Sequence, residues 1–401
     1  MTRRSLPALA LLVAALAAAP AAAAAQDSAL AGDTTLLSHA ARMARERYGQ
    51  LVGPTGMMDN GTQLYRAAQA DVARGQWSDA ALQIQAALQR APRSPLYRGE
   101  LGFMIARTGD LDSAATLLQQ AYSIQQQNPW YLVGLAVVRA AQARWPDAAG
   151  TLEVAAQTDS GIVDGRIAAT AVAYFNQAGD PVRALHWARV AVQQAPDDAT
   201  SWFMLARSYA EHDDTAGMPA ARRYHALRPD EPFGKLILAN MLFLIGQTDS
   251  AIALADQVAA DSAYRDAAAV VYLRCGARLL RQREVDRAVA TLTRGRALGA
   301  TSVRREYAYY LGSAQLVQAS TTLPAVEQSR NCNQARAAES LLVETERNLR
   351  EGESVDTTRA RMFLESVLPS YRTNAQNLRE SFCRPPPAGR QPTPARPRPR
   401  P

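Results

Sequence analysis

The sequence predicts an all-α protein: a solenoid of antiparallel helix hairpins with helical caps and a disordered C-terminal tail. Three observations predict it. First, the chain repeats about every 34 residues: Ala80, Ala114 and Ala148 fall at intervals of 34, and Ala87, Ala121 and Ala155 keep the same step. A fixed period of this length marks units that bury their apolar faces only against their neighbours. Second, 48% of the residues are hydrophobic but only 6% aromatic, so Ala and Leu must do the packing, and both favour helix. Third, Gly75, Gly109, Gly179 and Gly246 recur between apolar stretches, where a turn needs a residue that accepts positive φ. No run of alternating β-branched residues argues for a sheet.

Residues 1–25 read as an export signal. Arg3 and Arg4 supply the positive region, Leu6 to Ala19 a short apolar stretch, and Ala23-Ala24-Ala25 a cleavage site before Gln26. The competing reading is a membrane anchor, but the stretch is short and dominated by Ala. Nothing later in the chain is apolar enough to span a bilayer, so an exported protein, periplasmic or secreted, is expected. Residues 26–60 are expected to form an N-terminal capping segment. Within it Leu36, Leu37, Ala40, Met43 and Leu51 lie on one side of a helical period. A mobile amphipathic helix that binds a partner is the alternative reading.

Residues 61–302 hold seven repeats, with units at 61–94, 95–128, 129–162, 165–198, 199–231, 232–265 and 269–302. Each first helix carries a Leu beside a small residue: Leu101-Gly102, Leu135-Ala136, Leu205-Ala206 and Leu238-Ala239. Cys275-Gly276 and Leu311-Gly312 are related pairs. The second helices carry Ala184, Ala251 and Ala288 in register with the alanines above, and Pro92, Pro196 and Pro229 close three units. The segment WFMLARSYA, with Trp202, Leu205, Ala206 and Tyr209, is the fullest first-helix match. On these residues the chain resembles the tetratricopeptide repeat family over roughly two-thirds of its length. The resemblance implies a right-handed superhelix and a protein that holds others rather than transforming them. Two departures are noted: Pro219 stands where the second helix of unit five should begin, and Arg283-Glu284 replaces a Gly-Asp turn in unit seven.

Residues 303–383 read as a divergent repeat, starting near Arg305, and a C-terminal helical cap. A helix over 333–349 follows Cys332, and one over about 357–382 precedes Cys383, with Gly352 between them. An antiparallel hairpin would bring these cysteines together as a disulfide, which export permits. The alternative is two unpaired thiols. Cys275 sits at a core position and reads as a buried free thiol.

The net charge of +7 lies at the ends of the chain. Residues 384–401 hold Arg384, Arg390, Arg396, Arg398 and Arg400 with eight prolines and no acid. Setting these and Arg3 and Arg4 aside leaves residues 26–383 with no net charge, so no specific nucleic-acid binding is expected of the body. The tail cannot pack and reads as polyproline-rich disorder. It is either a solubilising end or a tether to an anionic envelope polymer.

A superhelix of hairpins presents its first helices along a concave face. Residues off their packing stripe should line a partner-binding groove. These are Tyr65, Phe103, Arg107, Trp130, Val133, Val137, Phe203, Arg207, Phe233, Leu236, Asn240, Phe243, Leu273, Arg281 and Tyr309. Aromatic residues with arginines suit an extended or helical peptide; for any one of them, inter-repeat core is the competing reading. Family members that grip a C-terminal carboxylate use a Lys/Asn/Arg clamp, and Lys235 is the chain's one lysine, so that ligand is not expected.

No enzyme is expected, and no cofactor or metal set. The histidines His39, His186, His212 and His225 form no HExxH or Cys/His cluster, and neither a GxSxG elbow nor a phosphate loop is present. His212-Asp213-Asp214 reads as an inter-helix turn. The function expected is a noncovalent scaffold or adaptor of a bacterial cell envelope that binds a protein or peptide segment. The alternatives are an envelope-surface module held by its arginine tail, and a cell-wall lyase or hydrolase on a helical solenoid.

Overall fold

The computed structural model describes residues 34–56 and 59–383, and all of its regular structure there is helical. Residues 1–25, read as an export signal, and the arginine tail lie outside the described part. The described residues form two compact units that divide between Gln247 and Thr248.

The first unit opens with α1 (Thr34–Gly56), interrupted at Gly53, whose φ of 68° breaks the helical path. Five hairpins follow. They are α2 (Thr62–Ala73) with α3 (Trp77–Arg90), α4 (Pro95–Thr108) with α5 (Leu111–Ile124), and α6 (Trp130–Ala141) with α7 (Trp145–Thr158). Next come α8 (Gly165–Gln177) with α9 (Pro181–Gln194), and α10 (Ala199–Ala210) with α11 (Met218–Leu227). The unit ends on α12 (Pro232–Leu244). Helix starts are written in the sequence. Asp110, Asp164, Asp180 and Asp198 each accept a hydrogen bond from the backbone N–H three residues on, at 2.8–3.1 Å. Pro95, Pro181 and Pro232 occupy the first turn, where no N–H is needed. Pro219 likewise lies in the first turn of α11, which is only ten residues long and follows a 3₁₀ turn, Thr215–Gly217.

The two helices of a hairpin are buried differently. Second helices bury one seam: Ala80, Ile84 and Ala87; Ala114, Leu118 and Ala121; Ala148, Leu152 and Ala155, all at 0% exposure. That spacing is one helical face. First helices after α2 are enclosed nearly all round. In α6 every residue from Trp130 to Val138 is buried, and in α8 every residue from Ile167 to Phe175. Their sequences are correspondingly apolar on all sides, as an interior helix requires.

The left-handed position of the inter-helix turn is held by Gly75, Gly109, Gly179 and Gly246, but by Ala143, Asp213, Arg283 and Arg330 in other turns. Asp213 and Asp214 belong to a turn, in which Asp214 caps the 3₁₀ segment and the His212 ring meets the Ser208 carbonyl at 2.8 Å.

The second unit holds α13 (Thr248–Val258), the hairpin of α14 (Arg265–Arg281) and α15 (Val285–Ala297), and the longer hairpin of α16 (Arg304–Ser329) and α17 (Cys332–Glu351). A returning arm follows: α18 (Thr357–Met362), a π turn over Phe363–Val367, and α19 (Leu368–Phe382). Pro369 explains the π turn, because it cannot donate to the carbonyl of Glu365 four residues back. The arm packs on α17 from the π turn onward. Five residues of π turn and fifteen of α19 match the twenty of α17. Cys332 and Cys383 therefore meet at the open end, Cα to Cα 4.9 Å, in a disulfide. Leu316, Leu323, Leu342, Leu368 and Leu378 fill the core beneath it.

Candidate functional site

The structure corrects the groove read from the sequence. In the first unit Tyr65, Phe103, Trp130, Val133, Val137, Phe203, Phe233, Leu236, Asn240 and Phe243 are all buried, none more than 7% exposed. They fill the joints between successive first helices and do not line an open wall. Phe203 lies 5.4 Å from Phe233 and 5.4 Å from Tyr224, ring centre to ring centre. In the second unit Leu273 and Tyr309 are buried as well, and the Tyr309 hydroxyl donates to Asp356 at 3.4 Å. The reason is geometric. Each of α4, α6, α8 and α10 meets its own second helix, the preceding second helix and a neighbouring first helix, so few of its positions are left for solvent. Only the arginines keep exposed surface. Arg207 pairs with Glu211 at 2.9 Å, Arg281 is exposed, and Arg107 stacks 4.4 Å above the Trp77 ring.

The front of α4 and α6 is covered by α1. The segment expected to cap the end of the array rests chiefly on α4 and α6. Leu36, Leu37, Ala40, Ala44 and Tyr48 form its buried seam; Met43 is only partly buried and Leu51 is 41% exposed. Small residues four apart let the α1 backbone lie close to the floor. Tyr48 and Val52 join the cluster of Tyr65, Tyr97, Ile84 and Leu101.

Polar contacts anchor α1 along its length. Arg107 donates to the Ser38 hydroxyl, and the His39 ring stands edge-on to Trp130 at 5.2 Å. The Asn128 side-chain amide donates to the Ala44 carbonyl at 2.8 Å. Arg47 meets the Gln127 carbonyl at 3.3 Å and Asp159 at 3.5 Å. Arg45 binds both carboxylate oxygens of Glu100, at 2.8 and 3.1 Å. The Glu100 side chain is only 5% exposed and also accepts from the Tyr65 hydroxyl at 3.4 Å. Burial, and then the Glu100 charge, push the Tyr65 and Tyr131 phenols far above their usual range. A buried carboxylate with a bidentate guanidinium is an orientation-specific contact.

Sequence reasoning missed Arg45, Glu100 and Asn128. The signal was present: Glu100 is the one acid in the helical stretch PLYRGELGFMIART.

Open clefts lie elsewhere in this unit. One of about 670 Å³ runs between α3 and α5 over α4, past Leu88, Gln89, Arg98, Ile105, Thr116 and Gln120. Another of about 320 Å³ lies between α7 and α9, past Glu153, Gln157, His186 and Trp187. Among the described residues no group of three or more His, Cys, Asp or Glu could hold a metal ion. No helix among them is long and apolar enough to cross a membrane.

No family model matches the chain, and no curated protein does. Similar solved structures include YrrB, a tetratricopeptide repeat protein with an unusual peptide-binding site, at 12% identity, over 44% of this chain and 91% of that chain, with a TM-score of 0.40. A tetratricopeptide repeat protein from Parabacteroides merdae is 16% identical over 62% of this chain and 96% of that one, TM-score 0.39. PilF of Pseudomonas aeruginosa is 16% identical over 51% and 95%, TM-score 0.39.

Proposed function

We propose that the chain is an exported, tetratricopeptide-type scaffold that acts noncovalently, holding a helical segment of a partner protein on the first-helix face of its first unit. The observation that carries this reading is the seating of α1. A helix that does not belong to the hairpin array lies across α4 and α6, with its own apolar seam and its own ion pairs. A face that takes one helix in this way is built to take a helix.

Export is supported by the Arg3-Arg4 and Ala-rich leader pattern and by the Cys332–Cys383 bridge, since such bonds persist in oxidising compartments. The cell envelope is therefore the setting in which a partner is sought.

The test is photo-crosslinking in the cells that make the protein. A photoreactive residue replaces Arg107, at the edge of the α1 site, or Val182, 78% exposed on the second helix α9. A defined protein crosslinked from position 107 and not from 182 is the expected result. Crosslinks from 182 alone, or none from either, would sink this reading.

A further inference from the structure

We propose that the floor formed by α4 and α6 is a receptor for an arginine-bearing amphipathic helix, and that α1 is its resident, displaceable occupant. This rests on the scaffold reading above and adds the chemistry of the partner.

The first argument is placement. The hairpin helices of this unit pack on their chain neighbours or on the next first helix, whereas α1 rests chiefly on α4 and α6 and reaches α2 and α3 through the cluster of Tyr48 and Val52. The floor under α1 is built without it, because each of its helices already has its own partner: α4 with α5 and α6 with α7.

The second argument is the nature of the contact. The buried seam of α1 is narrow: two leucines, two alanines and one tyrosine. Arg42, Glu46, Gln50 and Leu51 on the other side are exposed. Much of the specificity is polar, and it falls on fixed points of the floor. Glu100 takes a guanidinium in a two-pronged grip, Asn128 donates to a helix carbonyl, and Asp159 meets a second arginine.

The third argument is what remains when α1 leaves. Glu100 would keep its place among Tyr65 and the first helices but lose its guanidinium. A carboxylate that has lost its guanidinium favours a ligand that restores the cation over one that does not. Beside it would stand the edge of the Trp130 ring that now meets His39, and the Asn128 amide. The ligand that fits is an amphipathic helix with two small residues four apart on its seam. It carries arginines one and three positions past the second of these, as Arg45 and Arg47 follow Ala44. An acidic segment supplies no cation for Glu100.

Occupancy by a tethered helix also implies regulation. A segment of the same chain presents itself at roughly millimolar effective concentration, so a partner competes only if it binds better or if α1 is loosened.

The experiment uses the full chain and a fluorescent synthetic peptide of residues 34–53, read by anisotropy. The native chain should bind it weakly. A chain with Ala40→Asp and Ala44→Asp, which loosens the resident helix, should bind it at least tenfold more tightly. A peptide with Arg45→Glu should lose at least tenfold on the loosened chain. Adding Glu100→Arg to that chain should restore the Arg45→Glu peptide preferentially. Circular dichroism melting controls for folding. If the double variant does not fold, Arg45→Ala in the full chain serves as the milder loosened form.

Equal binding by native and loosened chains, or binding indifferent to Arg45, overturns the proposal. So does a doubled mass in light scattering without peptide binding, which would mean that α1 is exchanged between copies. If the peptide arm fails while crosslinking from position 107 still captures a partner, the receptor assignment falls and the scaffold reading stands.

Discussion

The Phe103 ring on α4 lies against the bare Cα of Gly134 on α6, in the space that a Cβ there would occupy. Phe103 is 3% exposed and has nowhere to retreat. Gly134→Ala should therefore destabilise the protein by about 1–3 kcal/mol, the usual cost of overpacking. Gly150, on α7 with open space around it, is the control. Gly150→Ala should stabilise by about 0.5–1 kcal/mol through helix propensity alone. Paired urea melts decide between these outcomes.

The same packing changes what substitution of the aromatic residues means. Trp130→Ala and Phe233→Ala remove buried rings and should each cost about 3–5 kcal/mol. Loss of partner binding in such variants would then track unfolding, as a thermal melt beside the binding assay would show. A variant that kept the native melting temperature would contradict the burial assigned to that ring.

The inter-helix turn offers a reciprocal pair. Ala143 has a φ of 57° at the position that Gly109 holds with 97° one repeat earlier. The left-handed region costs a Cβ-bearing residue about 1 kcal/mol, partly offset by glycine's extra freedom in the unfolded chain. Ala143→Gly should raise stability by up to about 1 kcal/mol, and Gly109→Ala should lower it by about 1 kcal/mol. If both move melting in the same direction, the turn is not the cause.

Docking of α1 should weaken in acid. Burial, then Arg42, pull the His39 imidazole below its ordinary 6.5; Asp164 and Glu46 oppose this, and Arg166 adds to it. The neutral ring is the form favoured in the docked state. The stabilisation is thus fully present above 6.5 and is lost as pH falls through the lowered folded value. Hydrogen exchange of the α1 amides, relative to those of α6, should speed up between about pH 7.5 and about pH 5. His39→Gln should flatten that difference; an unchanged profile would rule His39 out.

The three cysteines should behave in two ways. Opening the Cys332–Cys383 bridge frees a loop of 51 residues, a loss of up to about 4 kcal/mol in the chain-entropy picture. Cys332→Ser/Cys383→Ser should lower the melting temperature, with the loss concentrated in residues 248–383. Cys275 is buried and its thiol is pushed up to about 12, so it should resist alkylation until the chain unfolds. Labelling at Cys275 as fast as in denaturant would contradict its burial.

The all-α hairpin architecture was legible because it is a local property. The 34-residue spacing of small residues and the recurring turn glycines set how neighbouring helices pair; the caps at Asp110 and Asp180, which set where helices start, were seen only in the structure. The seam of Ala114, Leu118 and Ala121 could be read off its own spacing. The left-handed turns at Asp213 and Arg283 were less legible, since neighbouring packing imposes there what glycine would signal elsewhere.

The seat of α1 was not legible, because it depends on which surfaces remain after hairpins stack. Sequence register can place Trp130 and Phe233 on a first helix, but not the helices that close over them. It shows the amphipathic period of α1, but not that α1 lays Arg45 on Glu100, 55 residues away. Chain order and periodicity determined the helices and their pairing through short-range interactions. Only the tertiary structure decided which side chains are core and which are contact, because burial is a property of neighbours that the chain brings together from a distance.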